Sequence, residues 1–129
     1  MSDFPKIAGI GIDACQIARM EAQLNKEHFL NRLFAFEELA YVQAQPIPAQ
    51  SLAAIYAAKE AALKAFGVGL GAVPLKDIAV LHHPSGQPYY RMTGAALERL
   101  GSGAMHLSLT HEGDLAIAMA VFEKSEDSL

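Results

Sequence analysis

The chain has 129 residues, 52% of them hydrophobic and 19% charged, with a formal net charge of -4. That size and composition suit one compact domain over residues 1–129, with a core that needs no disulfide or metal staple. The acidic balance without any Lys/Arg cluster argues against nucleic acid, the single Cys15 rules out an internal disulfide, and no apolar run approaches the roughly 20 residues of a membrane span.

In chain order, Met1-Ser2-Asp3-Phe4-Pro5-Lys6 lacks the charged-then-apolar layout of a signal peptide, so a cytoplasmic location is expected. Ile7 to Asp13 alternates isoleucine with small residues, the pattern of a strand that approaches other backbone at its glycines, with Asp13 at its C-terminal end. From Gln16 the period changes: Ile17, Met20 and Leu24 recur at helical spacing, with Arg19 and Gln23 on another face. A second helix over Phe36 to about Gln43 stops at Pro46-Ile47-Pro48. The longest helix is predicted from Ser51 as N-cap to Phe66, with Gly67 as C-cap, and its alanines allow close packing.

Past the flexible Gly67-Val68-Gly69-Leu70-Gly71, strands over Ile78–His82 and Tyr89–Met92 flank a turn at Pro84-Ser85-Gly86-Gln87. A short helix over Ala95–Leu100 precedes another strand pair, Met105–Thr110 and Leu115–Phe122. The order implies an α+β fold, a largely antiparallel sheet packed on one long and several short helices. Leu115–Phe122 is apolar on both faces, which suits either a core strand or burial against a second subunit. The final residues, Lys124 to Leu129, are expected to fray.

Asp13 and Glu60 are carboxylates set in apolar surroundings, where burial costs free energy unless a cation, a donor or a metal compensates. Tyr56, Glu60 and Lys64 are each four residues apart on one helix face, so carboxylate and ammonium can serve one ligand. The bland alternatives are a surface Glu-Lys pair and an N-capping Asp13. His28, His82, His83 and His106 have neither a helical four-residue spacing nor a nearby cysteine, which argues against zinc. The glycine run at 67–71 follows a helix instead of joining a strand to one, so it lacks the mechanics of a dinucleotide loop. Ser108 with His111 lacks the strand-turn-helix elbow of a serine nucleophile.

These segments resemble the bacterial holo-acyl-carrier-protein synthases, which are 4′-phosphopantetheinyl transferases. The resemblance rests on Gly9-Ile10-Gly11-Ile12-Asp13 with Ile17-Ala18-Arg19, on Arg32 and Glu38, on Ala58-Lys59-Glu60-Ala61-Ala62-Leu63-Lys64-Ala65-Phe66-Gly67-Val68-Gly69, and on Ser108-Leu109-Thr110-His111. It implies transfer of the phosphopantetheine arm of coenzyme A to a serine of acyl carrier protein, with magnesium, releasing adenosine 3′,5′-bisphosphate in a step of fatty acid biosynthesis. Asp13 and Glu60 match the implied metal ligands, and two carboxylates suit magnesium, which keeps its other positions for water and phosphate. Lys64 adds positive charge beside Glu60, and Lys59, Lys64, Gly67 and His111 are the implied substrate-binding residues. Lys59 points to a different face, where it either touches phosphate from the side or reaches solvent. The proton acceptor is left open among Glu60, a metal-bound water and His111, with the water favoured.

Arg19, Lys26 and Arg32 are the implied docking charges for the acidic carrier protein, and the family implies a homotrimer with active sites at subunit boundaries. Ala14-Cys15-Gln16, Ala35 and Thr110 depart from the family's usual residues without touching the metal ligands. Two rival readings are a hot-dog-type thioesterase, which acts without magnesium, and a non-catalytic module that binds coenzyme A or carrier protein.

Overall fold

The structure is a computed structural model that describes residues 5–125. Strand β1 (Pro5–Gln16) leads into two short helices, α1 (Ile17–Glu21) and α2 (Glu27–Leu33), followed by α3 (Phe36–Gln43) and the long α4 (Pro48–Phe66). A 3₁₀ turn (Leu75–Asp77) opens the hairpin β2 (Ile78–His82) and β3 (Pro88–Met92), then come α5 (Gly94–Leu100), β4 (Ala104–Glu112) and β5 (Leu115–Ser125). All pairings are antiparallel, and they form two sheets: β1-β5-β4 and the separate β2-β3 hairpin.

The α+β architecture therefore matches the expectation, with several boundaries corrected. Asp13 lies inside β1, three residues before its end, because pairing with β5 continues to Gln16. The helical period after Gln16 is split in two, which makes Lys26 the N-cap of α2 and puts Arg32 in its last turn. The long helix starts three residues before Ser51, since Pro48 in the first turn presents a pre-set φ and needs no hydrogen-bond partner for its nitrogen. Lys124 and Ser125, expected to fray, pair with Lys6 and Pro5, and residues 126–129 lie outside the described residues.

Helix α4 crosses the inner face of the three-stranded sheet, where Ala116, Ala118, Ala120 and Phe122 of β5 are buried. Its approach to β1 is close enough to require glycine. A Cβ on Gly9 would stand 1.8 Å from the Ala65 carbonyl oxygen, and one on Gly11 2.0 Å from that of Ala61. The helix ends at Gly67, whose φ of 79° is the left-handed geometry of a C-cap.

On the other face of the sheet, a bulge at Ala8 shifts the β1-β5 register between Ile7 and Gly9. The shift turns Ile7 to the same side as Ile10 and Ile12, and all three are exposed. With Ile117, Met119 and Val121 of β5 they make an apolar outer face that no element among the described residues covers.

Candidate functional site

Strand β1 and helix α4 run past each other so that Asp13, two residues beyond the close contact at Gly11, meets the exposed side of α4 at Glu60 and Lys64. The Lys64 Nζ donates to Asp13 Oδ1 at 3.2 Å and to the Ile12 carbonyl at 2.9 Å. Burial first, and then the negative charge of Asp13, raise the proton affinity of Glu60, while Arg19 and Lys64 oppose them. The second oxygen of Asp13, Oδ2, is buried without a hydrogen-bond partner. Two carboxylates that repel each other, with one oxygen unpartnered, fit a divalent cation better than an internal ion pair. No group of three or more metal-binding side chains forms among the described residues, so protein ligands would fill only part of an octahedral shell.

Arg19, on α1, lays its guanidinium over the Tyr56 ring, 5.3 Å from the centroid. Its charge is felt by Tyr56, Glu60 and Cys15 alike. Cys15 is 1% exposed, and burial pushes its thiol up, so it is an inert core group.

Lys59 is placed otherwise than expected. It is 0% exposed, and its ammonium donates to Glu38 Oε1, the Leu75 carbonyl and the Ile78 carbonyl, each at 2.8 Å. All three protons are thus engaged within the protein, and neither phosphate nor solvent is within its reach. Burial lowers its pKa, and Glu38 counters that shift. Glu38 also accepts from the Ala35 and Val80 amides, both at 2.8 Å, so one buried ion pair joins α3, α4 and the start of β2. No local signal marked it: Lys59 lies four residues after Ile55, but the helix is apolar on more than one side, so that spacing alone does not point a lysine inward.

His111 is on the inner face of the sheet, as alternation with Leu107 and Leu109 required, at the end of β4. Strand β5 separates it from β1, which places it roughly 10 Å across the sheet from the Asp13 strand. It lines a concavity of about 160 Å³ with Ser51, Ile55, Thr110 and the stacked pair Tyr41 and His82, whose rings are 3.8 Å apart. Sequence reasoning missed both members of that stack as site candidates, since Tyr41 and His82 meet only through the packing of α3 on β2. Gly67 is exposed at the end of α4, and the docking candidates Lys26 and Arg32 are exposed on α2.

Residues 9–120 match the family model of the 4′-phosphopantetheinyl transferase superfamily. The holo-[acyl-carrier-protein] synthase of Treponema denticola is 45% identical over 91% of this chain and 98% of its own length. Among solved structures, the holo-[acyl-carrier-protein] synthase of Neisseria meningitidis superposes with a TM-score of 0.78 at 36% identity, covering 92% of this chain and 100% of its own. That of Bacillus anthracis, in complex with CoA (3′,5′-ADP), gives 0.78 at 31% identity over 92% and 97%. The thioesterase reading gains nothing from these relatives. Asp13, the Lys59 to Gly67 helix end and most of the three-stranded sheet fall within residues 9–120, and the chain belongs to the holo-[acyl-carrier-protein] synthase family of 4′-phosphopantetheinyl transferases.

Proposed function

We propose that this chain transfers the 4′-phosphopantetheine group of coenzyme A to a serine of apo acyl carrier protein. The observation that carries the reading is the meeting of Asp13, Glu60 and Lys64, with Asp13 Oδ2 buried and unpartnered. The serine oxygen attacks the pyrophosphate phosphorus next to the pantetheine arm. The bond from that phosphorus to the bridging oxygen breaks, the carrier gains a phosphodiester, and adenosine 3′,5′-bisphosphate leaves.

Asp13 and Glu60 would hold magnesium, which when bound would offset the negative charge on the phosphoryl oxygens and leaving group. Lys64 is 56% exposed at its side chain and is free to swing from Asp13 to an entering phosphate, where it adds a second positive charge. The serine proton passes to water held against Asp13 and Glu60. Lys59 has no part in substrate binding here, and its role is structural. Gly67, exposed at the helix end, leaves room beside Lys64 for the pyrophosphate.

His111 stands apart from the carboxylates, and the concavity beside it is far smaller than the roughly 300–1,000 Å³ of a ligand pocket. A site completed between copies accounts for both facts, with the His111 end of one protomer beside the Asp13 end of its neighbour. The uncovered apolar face of β1 and β5 supplies a surface for that assembly, which we take to be the homotrimer. Arg19, Lys26 and Arg32 would receive the acidic carrier protein. No described helix is long and apolar enough to cross a membrane. Family membership supports a place in fatty acid biosynthesis, in the cytoplasm.

The test is the intact mass of an apo carrier protein after incubation with coenzyme A, first with magnesium and then with chelator. Addition of one phosphopantetheine only with magnesium, and its loss in Asp13→Ala, supports the reading. No addition to any of several carrier proteins moves the weight to a binding module.

A further inference from the structure

An exposed arginine on a five-residue helix has every reason to be mobile, since ordering its side chain costs up to about 2 kcal/mol of rotamer entropy. Arg19 is not left free. Tyr56 is 6% exposed, and the Arg19 guanidinium lies over its ring, 5.3 Å from the centroid. Tyr56 sits one helical turn before Glu60 on the same face of α4, and the Arg19 charge acts on both. The stack therefore fixes a cation at a set distance from the carboxylate pair. A flat guanidinium suits this arrangement, whereas a lysine ammonium on its flexible stem cannot stack in the same way.

We propose that Tyr56 is a positioning residue, whose ring holds Arg19 where an acidic group of the carrier protein docks, so that the docked serine is set in register with Asp13 and Glu60. This rests on the transferase reading for the identity of the partner. Tyr56 acts through Arg19 and touches neither coenzyme A nor the reacting atoms. Its effect therefore belongs in the KM for carrier protein and not in that for coenzyme A.

The experiment is a double-mutant cycle with steady-state kinetics in both substrates, using Tyr56→Leu, Arg19→Ala and the pair. Tyr56→Leu is expected to raise the carrier-protein KM about three- to tenfold, with the coenzyme A KM unchanged. In the Arg19→Ala background it should add nothing. Tyr56→Phe, which keeps the ring but removes the hydroxyl that Arg19 also engages, should raise the carrier KM less than Tyr56→Leu does. Arg19→Lys alters no buried atom, so it serves even if Tyr56→Leu folds poorly, and it should raise the carrier KM in the same way as Tyr56→Leu. An unchanged carrier KM in Arg19→Lys, full multiplication of the two effects, or a change confined to coenzyme A overturns the positioning role while leaving the transferase reading intact. A wild-type protein that modifies no carrier protein overturns both.

Discussion

Replacing Lys59 with methionine keeps the length of the side chain and removes its ammonium, which separates the buried ion-pair account from a phosphate-binding one. In Lys59→Met, Glu38 keeps its two amide donors but loses its counter-ion, and the Leu75 and Ile78 carbonyls lose their shared donor. Removing one partner of a fully buried pair costs roughly 3–5 kcal/mol. For 129 residues the unfolding entropy is about 0.27 kcal/mol per degree, so Tm should fall by roughly 11–18 °C. That is a large share of the roughly 5–15 kcal/mol that holds a domain folded.

Glu38→Gln in the same chain removes the stranded charge while its amide oxygen still accepts from a backbone amide. The double variant should therefore be more stable than Lys59→Met alone. Calorimetric melts of the three proteins give the answer, with coenzyme A KM measured at a temperature where each is folded. A Tm within about 3 °C of wild type, together with a raised coenzyme A KM, would refute the reasoning and return Lys59 to the substrate.

Gly11→Ala forces a methyl against the Ala61 carbonyl, so β1 must move off α4; we expect a loss of about 3 kcal/mol or more by chemical denaturation, and weaker activation by magnesium as Asp13 shifts from Glu60. Lys64→Ala should lower kcat by about ten- to a hundredfold with little change in melting temperature, because the Lys64 ammonium is exposed and such a pair contributes only about 0–1 kcal/mol to stability. Met119→Lys places a charge in the middle of the uncovered apolar face and should convert an assembled protein to monomer by sedimentation, with transfer lost although Asp13 and Glu60 are untouched. The Arg91 guanidinium holds the Glu37 carboxyl below its ordinary 4.5, so the contact stabilises the fold above that pH and is lost as pH falls through the lowered value. Wild type should accordingly melt slightly above Glu37→Gln at pH 7, and the gap should close as the pH falls through the lowered value.

The sequence by itself determined the type and order of nearly every element, α2 excepted, because period-2 and helical periodicities are local properties of the backbone. It also determined the approach of β1 to other backbone through Gly9 and Gly11, and the shared face of Tyr56, Glu60 and Lys64, which follows from the helical repeat. What it left undecided was direction. Helix α4 is buried on two sides, by the three-stranded sheet and by α3 with β2, so no apolar stripe distinguishes an inward lysine from an outward one. Only the packing turned Lys59 into the core and left Glu60 facing Asp13.

Tertiary structure likewise decided which distant residues meet. Glu38 and Lys59 are 21 positions apart, and Lys64 and Asp13 51, beyond the range of any local rule. It also decided that the bulge at Ala8 carries Ile7, Ile10 and Ile12 to one side of the sheet, since one extra residue reverses the alternation and exposes an apolar face that strict periodicity would have split.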